Sequence, residues 1–294
     1  MTQTFNQRTK YVIFFVAPAF ILFVVFGLIP IVYNFILSLY RTDLMSPSVF
    51  VGLKNYENLL HDSIFLESLR NNLLMVTFSL IAHIPIALLL ANILFAKLKG
   101  TKFFQSAFFL PCVVCGVAVG LTWTFIYNSE FGILNKILEI LNLAQFKREW
   151  LSDDQTVIYA IIIAVMWQYI GYHMVIQLAA MRNIPTELYE AAVIDGASKW
   201  QQFVDITLPL IRPVLKVDVI IVITGSLKYF DLVYVMTGGG PNHSSEVLST
   251  YMYYQGFRNL KYGYASAIGN ILLVLCTIAI VASNLVFQSG KNAD

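Results

Sequence analysis

The 294-residue chain is very apolar: 58% of its residues are hydrophobic, 12% are charged, and the mean hydropathy is +0.70. A soluble domain has roughly a quarter of its residues charged, so this composition indicates an integral membrane protein. The net charge of +2 and the scattered basic residues argue against the concentrated positive surface that nucleic acids require, and we expect no nucleic-acid partner.

The three cysteines fall inside apolar segments and provide no disulfide framework. Cys112 and Cys115 form a single C-x-x-C pair, without a second pair or a nearby histidine that would complete a metal site. Small buried thiols are a better interpretation than redox or metal chemistry. We therefore expect the chain to bind no metal and no cofactor of its own.

The first half of the chain predicts three membrane spans. The apolar run 11–40 follows a short tail, 1–10, and is long enough to kink at Pro30, since about 20 residues cross the hydrocarbon. A second span is predicted at 73–95. A third is predicted at 104–127; this segment resembles that of a permease family in which the span is kinked by proline.

The connections between these spans predict their orientation. Residues 41–70 mix charges with turn residues and contain a short helix near 56–60, which indicates an external connection. Lys97, Lys99 and Lys102 crowd the connection before the third span. The positive-inside rule places that connection in the cytoplasm.

His83 lies inside the second span, beside Pro85. A lone histidine at membrane depth is more often a hydrogen-bond partner between helices than a ligand or a proton carrier. We expect His83 to hydrogen-bond a neighbouring helix.

The fourth span is predicted at 156–181, after an external connection at 128–155 with a short helix at 133–143. It contains the cluster WQYIGYHM at 167–174. Polar side chains are costly against lipid, so these either bond between helices or face a watery cavity. Because so many occur together, the cavity is the favoured interpretation.

A polar stretch at 184–213 follows and has the pattern of two short helices joined by a turn. Pro185 is suited to the first helical turn, and Asp195-Gly196 supplies a stop with a positive φ. The second helix has an apolar face and is expected to end at Leu208-Pro209. That face consists of Trp200, Phe203, Val204 and Ile206.

Two further spans complete the chain, at 215–236 and 264–287. Lys228 and Asp231 in the fifth are three positions apart and can pair on a helix. The glycine-rich connection 238–263 lacks the G-x4-G-K-[ST] pattern, so it is not a phosphate-binding loop.

Charge counting supports this topology. The segments assigned to the cytoplasm carry about 10 Lys and Arg in about 60 residues, and the external ones carry about 8 in about 84. Both termini and the polar stretch 184–213 are thereby predicted to be cytoplasmic.

The polar stretch resembles the EAA signature of ABC-importer permeases. It contains EAA at 190–192, DGA at 195–197, then Phe203, Ile206, Leu208-Pro209 and Pro213 in the characteristic order. VGLKNYENLL at 51–60 and GGGP at 238–241 resemble the carbohydrate-uptake subfamily, which includes the maltose and glycerol-phosphate permeases.

The resemblance implies an all-α membrane protein with six transmembrane helices, the type I ABC importer transmembrane domain. The permease domain covers 11–287, between cytoplasmic tails at 1–10 and 288–294, in the inner membrane of a prokaryotic cell. In that family the stretch 184–213 is the coupling loop, a helix-turn-helix that docks on the ATPase. The implied coupling residues are Glu190, Ala191, Ala192, Asp195, Gly196 and Ala197.

The resemblance also implies partners. They are a second permease subunit, two ATPase subunits that bind ATP and Mg, an extracytoplasmic substrate-binding protein, a sugar substrate and the surrounding membrane lipid. The chain itself would be a transport subunit and not an enzyme. Laid on the maltose-permease pattern, the sequence gives six candidates for the substrate pathway: Gln168, Tyr169, Tyr172, Gly225, Ser226 and Tyr229.

Three alternatives stay open at this point. An ion-coupled secondary transporter would need carboxylates at membrane depth, for which Asp218 and Asp231 are the main candidates. A membrane enzyme would need a convergent cluster of reactive side chains, whereas the four histidines are far apart in the sequence. An ABC permease for a non-sugar solute such as glycerol phosphate would share the same signature.

Overall fold

The computed structural model describes residues 2–43, 45–96 and 99–289 and is almost entirely helical over them. Lys97 and residues 290–294 of the predicted C-terminal tail lie outside the described residues. The chain divides into two compact units, one formed by residues up to His61 with Met252–Ile271 and the other by Asp62–Tyr251 with the residues from Leu272 onward.

The first unit contains a long helix, two shorter helices and a small hairpin. They are α1 (Thr2–Phe23), α2 (Ile29–Leu37), β1 (Tyr40–Arg41), β2 (Val49–Phe50) and α3 (Lys54–Leu60). The two strands pair antiparallel, with Tyr40 opposite Phe50. The Asn270 side chain ties this unit together: its Oδ1 accepts from Asn34 Nδ2 at 2.8 Å and its Nδ2 donates to the Tyr56 hydroxyl at 2.9 Å.

The second unit contains ten helices within the described residues. They are α4 (Ser63–Phe78), α5 (Ile84–Phe95), α6 (Thr101–Val113), α7 (Gly116–Ile126), α8 (Ile133–Ile140), α9 (Val157–Arg182), α10 (Thr186–Ile194), α11 (Lys199–Gln201), α12 (Leu208–Leu227) and α13 (Asp231–Met236). A 3-10 turn, Ala144–Phe146, follows α8. The positions at which the two units divide fall within α14 (Leu248–Tyr253) and α15 (Tyr262–Ser289).

Helix α9 is the centre of the second unit. The most apolar stretch of α9 is 61% buried, against 28% for that of Ser63–Phe95, because helices α5, α6 and α12 cover α9 and its apolar residues are spread around the whole helix. Gly171 allows α6 to approach, since a Cβ at that position would overlap the backbone carbonyl of Phe108.

Three prolines follow π-helical turns without ending their helices. The turns Val24–Leu28, Ser79–His83 and Gln202–Thr207 precede Pro30, Pro85 and Pro209 respectively. A proline lacks the N–H and its ring clashes with the preceding turn of an α-helix; a wider turn relieves both problems. The prediction that Leu208-Pro209 ends a helix was therefore wrong, because the helix runs on from Lys199 through Leu227.

Four described helical segments are long and apolar enough to cross a membrane: Ile13–Leu37, Ser63–Phe95, Val157–Arg182 and Tyr262–Phe287. The predicted third span is not a gently kinked helix, because α6 and α7 meet at an angle of 100°. They make a fifth span only if the bent pair is counted as one. The predicted fifth span, 215–236, takes in the last part of α12 and all of α13, and α12 carries Arg212, Lys216 and Asp218. The count of six spans stays a prediction.

Candidate functional site

The second unit contains an open cavity of about 660 Å³ between the turn Ser79–His83 and helices α6, α9 and α12. We call it the polar cavity. Aromatic rings from α6, α9 and the chain after α12 share its wall with hydroxyl, imidazole and charged groups. Such a mixture suits a solute with both apolar and hydrogen-bonding faces.

Five predicted pathway residues line this cavity, namely Tyr169, Tyr172, Gly225, Ser226 and Tyr229. Gln168 is different: it is only 1% exposed, and its Oε1 accepts a hydrogen bond from the Tyr229 hydroxyl at 3.1 Å. Tyr169 meets the Tyr229 ring edge to face, with centroids 6.3 Å apart. Gln168 therefore supports a wall residue and does not itself form the wall in this structure.

Asn72 of α4 holds the end of α12, and the sequence analysis missed it. Its Nδ2 donates to the carbonyls of Ser226 and Leu227 at 3.0 and 3.1 Å, and its Oδ1 accepts from the N–H of Leu248 at 2.8 Å. The last carbonyls of a helix lack partners within it, so Asn72 satisfies them. The feature of the sequence that could have indicated this role is an amide side chain at the edge of an apolar run.

A buried polar cluster adjoins the cavity. The Asp218 carboxylate is fully enclosed; its Oδ1 lies 2.6 Å from His173 Nδ1, and its Oδ2 accepts from Gln177 Nε2 at 2.7 Å. The His83 ring packs edge to face on His173, with centroids 4.9 Å apart, while His83 Nε2 has no hydrogen-bond partner. His83 thus contacts α9 in two ways, by this ring packing and by the expected hydrogen bond, which it makes with the backbone of Tyr169.

The sequence held only part of the signal for this cluster. His173 and Gln177 are four apart on α9 and so share a face. His83 and Asp218 come from other helices, and only the packing of α9 against its neighbours unites them.

Lys228 and Asp231 both line the cavity. Among the ion pairs of the described residues, however, the predicted pair between them is absent. Helix α12 ends at Leu227 and α13 begins at Asp231, so the i,i+3 geometry is lost. Asp231 instead packs close to Gly116 of α7, where a Cβ would come within 2.9 Å of the aspartate Cβ.

The coupling loop has the predicted helix, turn and helix. Helix α10 begins at Thr186, with Pro185 at its N-cap and not in its first turn as predicted, and it stops at Asp195. Gly196 follows at φ +80°. Ser198 starts α11 with a capping box, in which its hydroxyl accepts from the Gln201 N–H and Gln201 Oε1 accepts from the Ser198 N–H.

One side of the coupling loop is anchored. The hydroxyls of Tyr189 and Thr207 lie 2.8 Å apart, and Tyr189, Phe203 and Ile206 pack against the apolar core of α5, α9 and α12. The opposite side exposes large apolar side chains. Its most exposed members are Ile194 at 86%, Trp200 at 70% and Val193 at 57%.

The predicted coupling residues lie at this surface. Glu190, Ala191, Asp195 and Gly196 are exposed, whereas Ala192 and Ala197 are half-buried. Among the residues that the structure describes, no group of three His, Cys, Asp or Glu side chains is arranged to hold a metal ion.

Residues 64–289 match the family described as binding-protein-dependent transport system inner membrane component, and the chain belongs to that family. It is therefore a multi-pass membrane permease component of the ABC-importer class, the class that its coupling signature indicated. The predicted fold class is confirmed at that level.

Individual relatives are similar over almost the whole chain. The probable ABC transporter permease protein YurN of Bacillus subtilis is 40% identical, over 97% of this chain and 99% of that protein. The arabinooligosaccharides transport system permease protein AraP of the same species is 35% identical, over 92% and 86%. The trehalose/maltose transport system permease protein MalF of Thermococcus litoralis is also 35% identical, over 88% of each chain.

A solved structure shows the same fold. A chain of a bacterial ABC transporter that imports the acidic polysaccharide alginate has a TM-score of 0.83 and 23% identity, and the match covers 98% of each chain.

Proposed function

We propose that this chain is one of two membrane subunits of an ATP-driven importer that moves a neutral sugar or oligosaccharide into the cytoplasm. The observation that carries the proposal is the polar cavity, whose wall combines Tyr169, Tyr172 and Tyr229 with hydroxyl and imidazole groups. Aromatic faces pack on the apolar face of a sugar ring, and polar side chains bond its hydroxyls. Relatives named for arabinooligosaccharides and for trehalose and maltose support this choice.

The charge of the wall favours a neutral solute. Among the described lining residues, Lys228 is the cation and Asp231 is the exposed carboxylate, so their two formal charges cancel. A phosphate ester such as glycerol phosphate would call for an excess of positive charge. We therefore rank a sugar above glycerol phosphate.

The partners follow from the same proposal. The second permease subunit completes the pathway, an extracytoplasmic binding protein delivers the sugar, and two ATPase subunits bind ATP and Mg and dock on the coupling loop. The exposed apolar side chains Val193, Ile194 and Trp200 are the part of the loop suited to such docking. The permease domain is proposed to cover 11–287, with cytoplasmic tails at 1–10 and 288–294.

Uptake by the purified complex in liposomes tests the function. Radiolabelled maltose, trehalose and lactose should enter only with the binding protein present and ATP supplied to the ATPases, and an ATPase with a disabled nucleotide site should abolish entry. Collapsing the ion gradients with ionophores should leave uptake unchanged. Uptake that persists without ATP and stops with ionophores would establish the ion-coupled secondary transporter. Uptake of sn-glycerol 3-phosphate in place of the sugars would establish the ABC permease for glycerol phosphate.

Cysteine labelling tests the orientation. Single cysteines at Ser198 in the coupling loop and at Lys261 in the predicted external connection are both at exposed positions. In a background without native cysteines they should react with a membrane-impermeant maleimide from opposite sides. Ser245 of that connection is unsuitable because it is fully buried and bonded to Thr237. Labelling of both from the same side would refute the proposed topology.

A further inference from the structure

The cluster beside the polar cavity buries a carboxyl group inside a membrane protein, which is costly in free energy. Asp218 is fully enclosed on α12, and an enclosed carboxylate is tolerated only where hydrogen bonds satisfy it. Gln177 Nε2 donates to one of its oxygens, and His173 Nδ1 lies 2.6 Å from the other. The two bonds both come from α9, so α9 and α12 are tied at this point.

These bonds set the orientation of the His173 ring. A carboxylate at Nδ1 holds the proton on that nitrogen, which leaves Nε2 as the nitrogen available to another molecule. His173 lines the polar cavity. The Tyr172 ring and the His83 ring both meet His173 edge to face, with centroids 5.1 and 4.9 Å away, so the imidazole is packed as well as bonded.

The second imidazole, that of His83, lacks a hydrogen-bond partner at one nitrogen. His83 is 3% exposed and also lines the cavity, and its Nε2 has no hydrogen-bond partner. A buried polar atom without a partner destabilises the protein unless a ligand, a water or another conformation satisfies it. Two imidazoles therefore meet at one wall of the cavity, one oriented by a carboxylate and one unsatisfied.

We propose that His173 hydrogen-bonds a hydroxyl group of the transported solute, with His83 as its neighbour in the site and with Asp218 and Gln177 as positioning residues. The proposal rests on the proposed function and narrows its substrate class. By formal charge the Asp218 and His173 pair carries no excess positive charge, which disfavours a phosphate and suits a neutral hydroxyl. None of these four residues was among the six predicted pathway residues, although His173 belongs to the cluster 167–174 that was predicted to face a cavity.

The first test is uptake by the reconstituted complex with maltose, trehalose and lactose as probes. His173→Ala should raise the half-saturating concentration about fivefold, as expected for one lost hydrogen bond, and His173→Gln should restore part of the affinity because its amide can bond a hydroxyl. His61→Ala is the matched control, since His61 is an exposed histidine that does not line the cavity, and it should transport like the wild type.

The second test separates positioning from contact. Asp218→Asn should weaken uptake affinity in the same direction as His173→Ala, and the double variant should be no worse than His173→Ala alone, because Asp218 acts through the imidazole. Additive losses would show that Asp218 has only a structural role and would overturn its assignment.

A measurement on the wild-type protein covers the case in which the variants fail to assemble. With this chain alone labelled with [15N]histidine, only four residues contribute to the imidazole region of a solid-state NMR spectrum. Maltose, supplied with its binding protein and a stalled ATPase, should shift the His173 signal, and the His61 signal should stay in place.

The outcomes separate the two proposals. If the wild type transports a probe sugar while His173→Ala keeps the same half-saturating concentration, or the His173 signal does not move, the His173 site is wrong and the transport function stands. If the wild type takes up none of the three sugars, the sugar function fails and the hydroxyl site fails with it.

Discussion

The coupling loop and the polar cavity place their side chains in opposite ways. In the loop, large apolar residues such as Ile194 and Trp200 are exposed and the polar groups are satisfied locally by caps and turns. Around the cavity, polar residues such as Gln168 and Asp218 are enclosed and are satisfied by distant parts of the chain. The loop is thus built to be covered by another protein, as we propose, whereas the cavity depends on packing within this chain.

The largest effect is expected where α6 and α9 pack too closely to admit a side chain. Gly171→Ala should prevent the protein from folding stably. The new methyl group meets the Phe108 carbonyl, so α6 must move away from α9. Gly225→Ala is the matched control: it is also a helical glycine, but nothing lies within 4 Å of the position that its new methyl group would take. Alanine favours a helix there, so its thermal midpoint should stay level or rise.

Thermal unfolding in detergent, followed by size-exclusion chromatography of each variant, measures this difference. Equal midpoints for the two variants would mean that the approach of α6 to α9 is not close.

The next largest effect should appear in the coupling loop. Gly196→Pro replaces φ +80° with a fixed negative φ and removes the N–H that donates to Val193, and Ala192→Trp enlarges the face beside the turn. Both should abolish uptake while the protein still inserts in the membrane, because the loop faces the proposed ATPase and is not part of the core.

Gly52→Pro provides the control for this experiment. Gly52 also has a positive φ, +58°, with nothing within 4 Å of a Cβ, but it lies in the predicted external connection. Uptake and co-purification with the ATPase should survive in Gly52→Pro only. Normal uptake in both loop variants would leave the loop as a passive surface.

A smaller effect is expected at the tyrosines of the cavity. Tyr229→Ala and Tyr172→Ala should each raise the half-saturating sugar concentration several-fold, since an aromatic contact is worth about 1 kcal/mol. Tyr229→Phe should have a smaller effect, because it keeps the ring and loses only the bond to Gln168.

Tyr159→Ala on the same helix as Tyr172 serves as the control in the uptake assay. Tyr159 is 40% exposed and packs on Phe78, away from the lining residues. If the cavity variants bind sugar as Tyr159→Ala does, the second permease subunit holds the sugar.

The smallest effect should be found outside both regions, at the ion pair of α8. Lys147 Nζ hydrogen-bonds the Glu139 carboxylate at 2.5 Å and lowers the pKa of Glu139 below its usual 4.5. A lowered folded-state pKa stabilises the protein above the unfolded-state pKa, and this contribution is lost as the pH falls through the folded-state pKa.

Glu139→Gln should therefore lower the thermal midpoint only slightly at pH 7, since the pair is exposed, and the difference should shrink as the pH falls below 4.5. Melting curves of the two proteins across this pH range measure it. A difference that grows on acidification would contradict the assignment.

Local patterns were read correctly where local physics decides the structure. The apolar run of the fourth span became α9, and Asp195-Gly196 became the turn of the coupling loop, because helix caps and a positive φ depend on adjacent residues. The short external helix predicted at 133–143 is Ile133–Ile140. The prolines were misjudged at Pro209, since a π-helical turn adapts the helix to it.

Composition and hydropathy by themselves determined that this chain is an integral membrane protein, and the EAA and DGA motifs carried its resemblance to ABC-importer permeases. Those properties are local or additive along the chain. Only the tertiary structure decided that α6 and α7 bend by 100°, that Lys228 and Asp231 stay apart, and that His83 joins His173 and Asp218. His173 and Asp218 are 45 positions apart, and no periodicity in the sequence records which helices will pack together.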